Sequence, residues 1–464
     1  MSRLMPLALL IVLTALPLHA DPLLLPWGGD GASMAAGGSH APAPLLGEVA
    51  PDAPTSLALA DRPRVTAELT STVPVSYIHG RRRFADLRVT DRDLSAAIPL
   101  ADAESESRWW LGGSVGERDV RVYHRDRWLH DRARGDGTRS TLALAWRDGP
   151  WTLGAARHEA DLSGAATGYS LADLLHMRRG HERLEFGWDG GVNTLGAEYR
   201  GDEWSGGMQV RSGNDSARAA TEVSREPFSG VLHTDTREFD AWVSRGSDRE
   251  RWFAYLRATE VSSGQSAIGS GEAIRGRVSV EMDGTAMGIG RIRSGARATE
   301  HLELSRVEQS VDLSGRVNTG VLGSLDGQVS LEASARVQTI GARWGATRRL
   351  DDWRYTLAAS VLHADLDLHA RGMSTPGPFQ APDWRFEERL RDGEAWLASL
   401  TAGAGYEAGG WQVEALYTLF TGDSSGEFVD LIEPQAALPP DPPTGPSPRL
   451  ELGWVLSVKV SREL

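Results

Sequence analysis

The chain of 464 residues contains no cysteine. That excludes a disulfide framework, a thiolate metal site, covalent c-type haem and a lipid-anchored lipoprotein start. Lysine is almost missing as well: Lys459 stands alone among 49 basic residues, and the rest are arginine. The 63 acidic residues outweigh them to a net charge of −14, which argues against nucleic acid as a partner. Beyond the first twenty residues no apolar run reaches the roughly 20 residues that a membrane-spanning helix needs.

What is present begins with an export signal. Arg3 supplies a positive n-region, Leu4 to Leu18 an apolar h-region, and Leu18-His19-Ala20 a small-residue cleavage site. Residues 1–20 therefore read as a cleaved signal peptide. Residues 21–63 form a Pro/Ala-rich N-terminal segment without sustained period, either a flexible lead or a segment lying inside a barrel. Residues 64–464 form one long domain of a different character.

That domain alternates. Trp411, Val413, Ala415, Tyr417 and Leu419 share one strand face, opposite Gln412, Glu414 and Thr418. Trp454, Leu456, Val458 and Val460 oppose Ser457 and Lys459, and Leu195, Ala197 and Tyr199 oppose Thr194, Glu198 and Arg200. Farther along, Val278, Val280 and Met282 oppose Arg275, Arg277 and Glu281. A soluble sandwich would turn the apolar faces inward. Many such strands behind an export signal predict the reverse, apolar side to lipid and polar side to a wet lumen.

Tight turns are expected at Asp148-Gly149-Pro150, Asp189-Gly190-Gly191, Asp283-Gly284, Asp351-Asp352 and Gly409-Gly410. Trp151, Trp188, Trp353 and Trp411 border four of them, as an interfacial aromatic girdle would. Longer connections are expected over 126–139, 161–181, 365–393 and 421–448. Parity changes between Val337 and Ile340, which predicts a β-bulge there. If the last strand runs toward the periplasm, the short turns lie inside the cell envelope and the long loops outside it.

On these features the chain resembles Gram-negative outer-membrane β-barrel proteins, porin-like in general architecture. The resemblance implies an all-β fold, a transmembrane antiparallel up-and-down β-barrel of roughly 16–20 strands. It implies an outer-membrane location, with the bilayer and the barrel-insertion machinery as partners. A periplasmic or export partner is a further expectation. The usual closing aromatic is replaced by Leu464, with Arg462 interrupting the apolar face.

The expected function is a channel passing hydrophilic solutes or polymers through a lumen lined by Arg, Asp and Glu. Its lining candidates are Arg275, Arg277, Glu281, Arg291, Arg293, Asp312, Arg316, Glu332, Arg336 and Arg343, with Arg200, Arg211 and Glu198 on the same reading. The alternatives are a structural barrel that sheathes or anchors an export or electron-transfer partner, and an outer-membrane hydrolase. No nucleophile is fixed near His124, His130, His176, His181 or Asp173, and no Gly-x-Ser-x-Gly elbow occurs, so catalysis is not expected. No cofactor is expected. His363, Asp365, Asp367 and His369 share a strand face and are the only metal candidates. Neighbours two apart in a strand lie about 6.5–7 Å apart, so an ion there needs help from another strand.

Overall fold

The computed structural model describes residues 31–464 except 37–38, 74–75, 80–81, 101–106, 126–129, 169–181, 224–225, 248, 264–265, 271–273, 321–325, 376–383, 431–448 and 452. Alternating sequence becomes sixteen antiparallel strands, each paired with its neighbours in chain order. They are β1 (Arg64–Val73, continued by Ser76–His79), β2 (Arg82–Pro99), β3 (Ser107–Arg125), β4 (His130–Asp148), β5 (Trp151–Gly168) and β6 (Glu182–Arg200). Next come β7 (Trp204–Val223), β8 (Glu226–Ser247), β9 (Glu250–Ser263 with Ser266–Ser270), β10 (Ile274–Ser294) and β11 (Ala298–Gly320). The last are β12 (Asp326–Leu350), β13 (Trp353–Thr375), β14 (Trp384–Ala408), β15 (Trp411–Asp430) and β16 (Arg449–Glu451 with Trp454–Glu463). β1 pairs with β16 from Arg64↔Glu463 to Val73↔Trp454, which closes the sheet. Closure leaves no unpaired edge, the condition for a sheet to stand in lipid.

The outer surface carries an apolar belt toward one rim. Leu195 and Leu142 are 66% and 64% exposed, and Leu304, Ile340, Leu357, Leu400 and Val413 stand out likewise. Below the belt lie aromatic side chains. Trp151 meets Tyr199 at 5.1 Å and Trp353 meets Tyr406 at 5.2 Å between ring centroids. Arg245 and Arg462 sit over the rings of Trp204 and Trp411 at 4.9 and 4.8 Å. At this rim the described hairpins are short.

Three of the expected turns form there. Gly149, Gly409 and Gly410 take φ of 53°, 60° and 80°, and Asp351 takes 55°. The other two expected turns do not exist. Asp189-Gly190-Gly191 lies within β6 and Asp283-Gly284 within β10, and each strand runs unbroken past them. A Cβ on Gly190 would fall on the Asp215 carboxylate, so this glycine serves close approach rather than reversal of the chain. Trp188 consequently faces inward and is buried, away from the girdle.

Every long connection expected from sequence is shortened by strand. β4 starts at His130, β5 reaches Gly168, and β13 and β14 extend over 365–375 and 384–393. β15 continues to Asp430. No bulge interrupts β12, whose register with both neighbours is continuous. The parity change near Val337 has another origin. Strands of about twenty residues exceed the roughly 9–11 that cross a bilayer, so their far halves project into water. There the outer face turns polar and apolar side chains turn inward. Val261, Met282 and Val311 form one such inward cluster, and Ala160, Leu162 and Trp188 another.

The N-terminal segment lies within the barrel. A short helix α1 (Gly31–Ala35), a second, α2 (Ala43–Leu46), and a 3₁₀ turn (Pro54–Leu59) pack against the inner wall. Leu57, Thr55 and Ser56 are fully buried. Leu57 and Ala58 join Trp110, Ala143 and Ala145 in one core, and Met34 packs with Leu416, Phe420 and Val455 in another. Two glycines let this segment approach. A Cβ on Gly154 would stand 2.8 Å from the carbonyl carbon of Pro54, and one on Gly345 would overlap the carbonyl oxygen of Ala35.

Candidate functional site in the barrel lumen

Alternation assigns each wall residue to one side. Because Glu303 touches the inner segment, odd positions of β11 from His301 to Val311 face the lumen and even ones face out. Register carries that assignment around the sheet.

Glu303 is a hub. Its carboxylate accepts a hydrogen bond from the Tyr255 hydroxyl at 2.9 Å, and Arg343 donates to it at 3.2 Å. Ser39 of the inner segment donates to the second oxygen, which also lies 3.2 Å from Nε2 of His301. Arg343 bonds Ser305 as well, and the side chains of Glu303 and Arg343 are both fully buried. A buried pair of this kind needs its remaining polar atoms satisfied, and four strand or segment partners do so for the carboxylate. The backbone N–H of Ala41 bonds Oγ of Ser39 at 3.0 Å, and the Ser33 hydroxyl donates to the Ser39 carbonyl at 2.6 Å. The segment's own turn is thereby tied to the wall.

Three further contacts hold the segment, one of them the Trp110 indole N–H donating to the Ala60 carbonyl at 2.9 Å. Lys459 on β16 donates to Glu48 at 2.6 Å. Arg211 on β7 lies 3.5 Å from the Asp52 carbonyl while pairing with Glu238 at 2.9 Å. Around them the inner wall is a ladder of opposite charges. Arg257 meets Asp240 at 2.7 Å, Arg118 meets Asp91 at 2.7 Å, and Arg139 pairs with Asp93. His158 is bracketed by Thr141 and Thr194, each at 3.0 Å. Such a wall is polar and largely self-neutralised.

Of the ten lining candidates, Arg343 faces the lumen. Arg277, Glu281, Asp312, Arg316, Glu332 and Arg336 are placed by parity and register on the outer face. Arg291 lies outside too, over the Trp252 ring at 5.6 Å and 3.4 Å from Glu250, and Arg293 is exposed beside it. The Arg275 side chain lies outside the described residues. The outward placement arises because these strands run past the belt into water, so the charged face above it is the wet exterior. Glu332 bonds Arg371 there at 2.7 Å. The wider reading holds where strands cross the belt, since Arg211 and Glu198 are buried inside and Arg200 pairs with Glu198 at 2.5 Å. Sequence reasoning missed Glu303, Tyr255, Ser39 and Glu48. Glu303 does alternate with exposed Leu302 and Leu304, and that was the available signal.

The metal candidates divide. Asp367 pairs with Arg389 at 3.1 Å and His369 with Glu387 at 3.1 Å. His363 and Asp365 instead group with Glu394 of the neighbouring strand, their ligand atoms all within 4.8 Å of one another. His176, His181 and Asp173 lie outside the described residues, as do the side chains of His124 and His130.

The sequence matches no described protein family. It matches no curated protein either. Similar solved structures exist. The Pseudomonas putida toluene transporter TodX is similar over 94% of this chain and 98% of its own, at 12% identity and a TM-score of 0.43. A Pseudomonas aeruginosa FadL homologue is similar over 92% and 96%, at 14% identity and a TM-score of 0.42. The ferric yersiniabactin uptake receptor FyuA of Yersinia pestis is similar over 87% and 80%, at 11% identity and a TM-score of 0.37. These are likenesses of outline. Strand pairing, closure and the outer belt are what make this chain an outer-membrane-type β-barrel, porin-like in general architecture.

Proposed function

We propose that the chain is an outer-membrane channel for hydrophilic solutes, closed at rest by its own N-terminal segment. One observation carries the reading. A barrel of sixteen strands, the size that in porins leaves an aqueous channel, here holds residues 33–36 and 39–60 against a wall of mixed polar and apolar side chains. Among the described residues the segment grips that wall through Ser39 to Glu303, Glu48 to Lys459, the Asp52 carbonyl to Arg211 and the Ala60 carbonyl to the Trp110 indole N–H. Apolar packing of Leu57, Met34 and Leu45 on wall side chains makes up the rest, and the segment belongs to no strand, so its release leaves the sheet paired. The export signal and the girdle of Trp and Tyr support placement in the outer membrane, long connections outward.

The inner ladder of paired charges favours uncharged or mixed-charge polar solutes over a strong preference for one sign. A sheath around a partner is less well supported, because the chain's own segment occupies the interior. The test is solute flux and single-channel conductance of the purified protein in bilayers. Wild type should open rarely, and the Ser39→Ala variant should open more often while passing neutral sugars. Neither form passing ions or sugars, with the barrel folded, would remove the channel reading.

A further inference from the structure

The outer face of β13 and β14 carries three metal-ligating groups that no pore function uses. His363 and Asp365 project from β13, and Glu394 projects from β14 directly opposite Asp365. Like charges placed directly opposite across an antiparallel pair repel. Among the described residues no arginine or lysine is paired with either carboxylate. Nδ1 of His363 lies 4.0 Å from Oδ1 of Asp365. That is too long for a hydrogen bond and too close for groups that ignore one another.

The geometry points to a divalent transition-metal site of the zinc type, formed by His363, Asp365 and Glu394. One candidate ligand atom from each residue lies within 4.8 Å of the other two. Zinc bonded to nitrogen and carboxylate oxygen at about 2.0–2.2 Å sets neighbouring ligand atoms about 3.3 Å apart. The exposed Asp365 and Glu394 side chains close that gap by rotamer adjustment around the His363 ring. An imidazole with two carboxylates suits zinc better than calcium or magnesium, which take all-oxygen shells. Three protein ligands leave a fourth position for water.

The surroundings aim these groups. The His363 ring packs on Trp396 with centroids 4.4 Å apart, which limits its rotation. Register shifts occur beside the site in both pairings of β14, between Leu366 and His369 and between Arg391 and Glu394. Irregularities of this kind re-aim side chains and weaken the local ladder. A bound cation would cancel the facing carboxylates and pin β13 to β14 where their hydrogen bonding is interrupted. Arg389, on the same strand as Glu394, is taken by Asp367. This inference stands independently of the channel reading.

Calorimetric titration of the chelator-treated, full-length protein in detergent with Zn²⁺ alone tests it, at a pH above the ordinary imidazole range. Wild type should bind one ion per chain, and Co²⁺ at the same site should show the visible absorption of low coordination. His363→Ala and Glu394→Gln should each weaken binding at least tenfold, whereas Asp367→Asn should not. Folding of each variant is checked by heat-modifiable electrophoretic mobility. No stoichiometric ion on wild type, or equal binding by wild type and the two ligand variants, overturns the proposal.

Discussion

Ser39 donates its hydroxyl to the carboxylate of Glu303, joining the inner segment to the barrel wall across 264 positions of sequence. The same carboxylate neutralises buried Arg343. One group therefore both holds the inner segment and neutralises the wall, and the two roles respond differently to substitution.

Glu303→Leu should destabilise the barrel by about 3–5 kcal/mol, because it strands a buried guanidinium. Ser39→Ala removes one hydrogen bond and should cost only about 1 kcal/mol. The temperature at which the folded band disappears on unheated gels should fall sharply for the first and slightly for the second. Equal falls would mean that Arg343 finds another partner.

Gly345→Val should displace the end of α1 while leaving strand pairing intact, because the new side chain meets the Ala35 carbonyl. The chain has no native cysteine, so Ser33→Cys gives a single reporter. Maleimide labelling of Ser33→Cys should be slow in the parent and fast when Gly345→Val is added. Unchanged labelling would show that the segment accommodates the valine.

Leu456→Arg should impair insertion, since charge at the lipid-facing midplane costs about 2–4 kcal/mol. Ser314→Arg, on the outer face of β11 above the belt beside Ser279, should insert normally. Comparison of folded yield for the two variants locates the upper edge of the belt. Equal yields would place both on the same side of it.

Arg277→Ser should leave the reversal potential under a salt gradient unchanged, because Arg277 faces outward. Arg118→Ser should shift it toward cations by leaving Asp91 unpaired inside. A shift from Arg277→Ser alone would reverse the assignment of faces.

An epitope inserted between Asp430 and Arg449 should be accessible on intact cells, and one at Gly409-Gly410 should not. Gly422-Asp423 is unsuitable for this purpose because it lies within β15, paired with Leu397 and Trp396. Accessibility at Gly409-Gly410 alone would invert the orientation.

The parts of each strand at membrane level were legible in the sequence because lipid enforces a strict contrast between faces. Trp411 to Leu419 and Trp454 to Val460 read correctly for that reason. Above the belt both environments are aqueous or protein-lined, and the contrast reverses. Met282 turns inward while Glu281 turns out, so a rule that polar means lumen fails there. The glycines misled in a related way. Gly190 and Gly284 resemble turn residues in sequence, yet neither adopts the positive φ of Gly149 or Gly409. The metal candidates were half legible: alternation found His363 and Asp365, but Glu394 arrives from a neighbouring strand through pairing that local pattern does not encode.

Lys459 lies on β16, the strand whose pairing with β1 seals the wall, and it grips Glu48 in the segment that leads into β1. The chain's first and last described parts thus meet at one seam. The Lys459–Glu48 ion pair ties the inner segment to the seam strand itself, so a substitution that loosens the β1–β16 pairing should loosen the segment's hold as well.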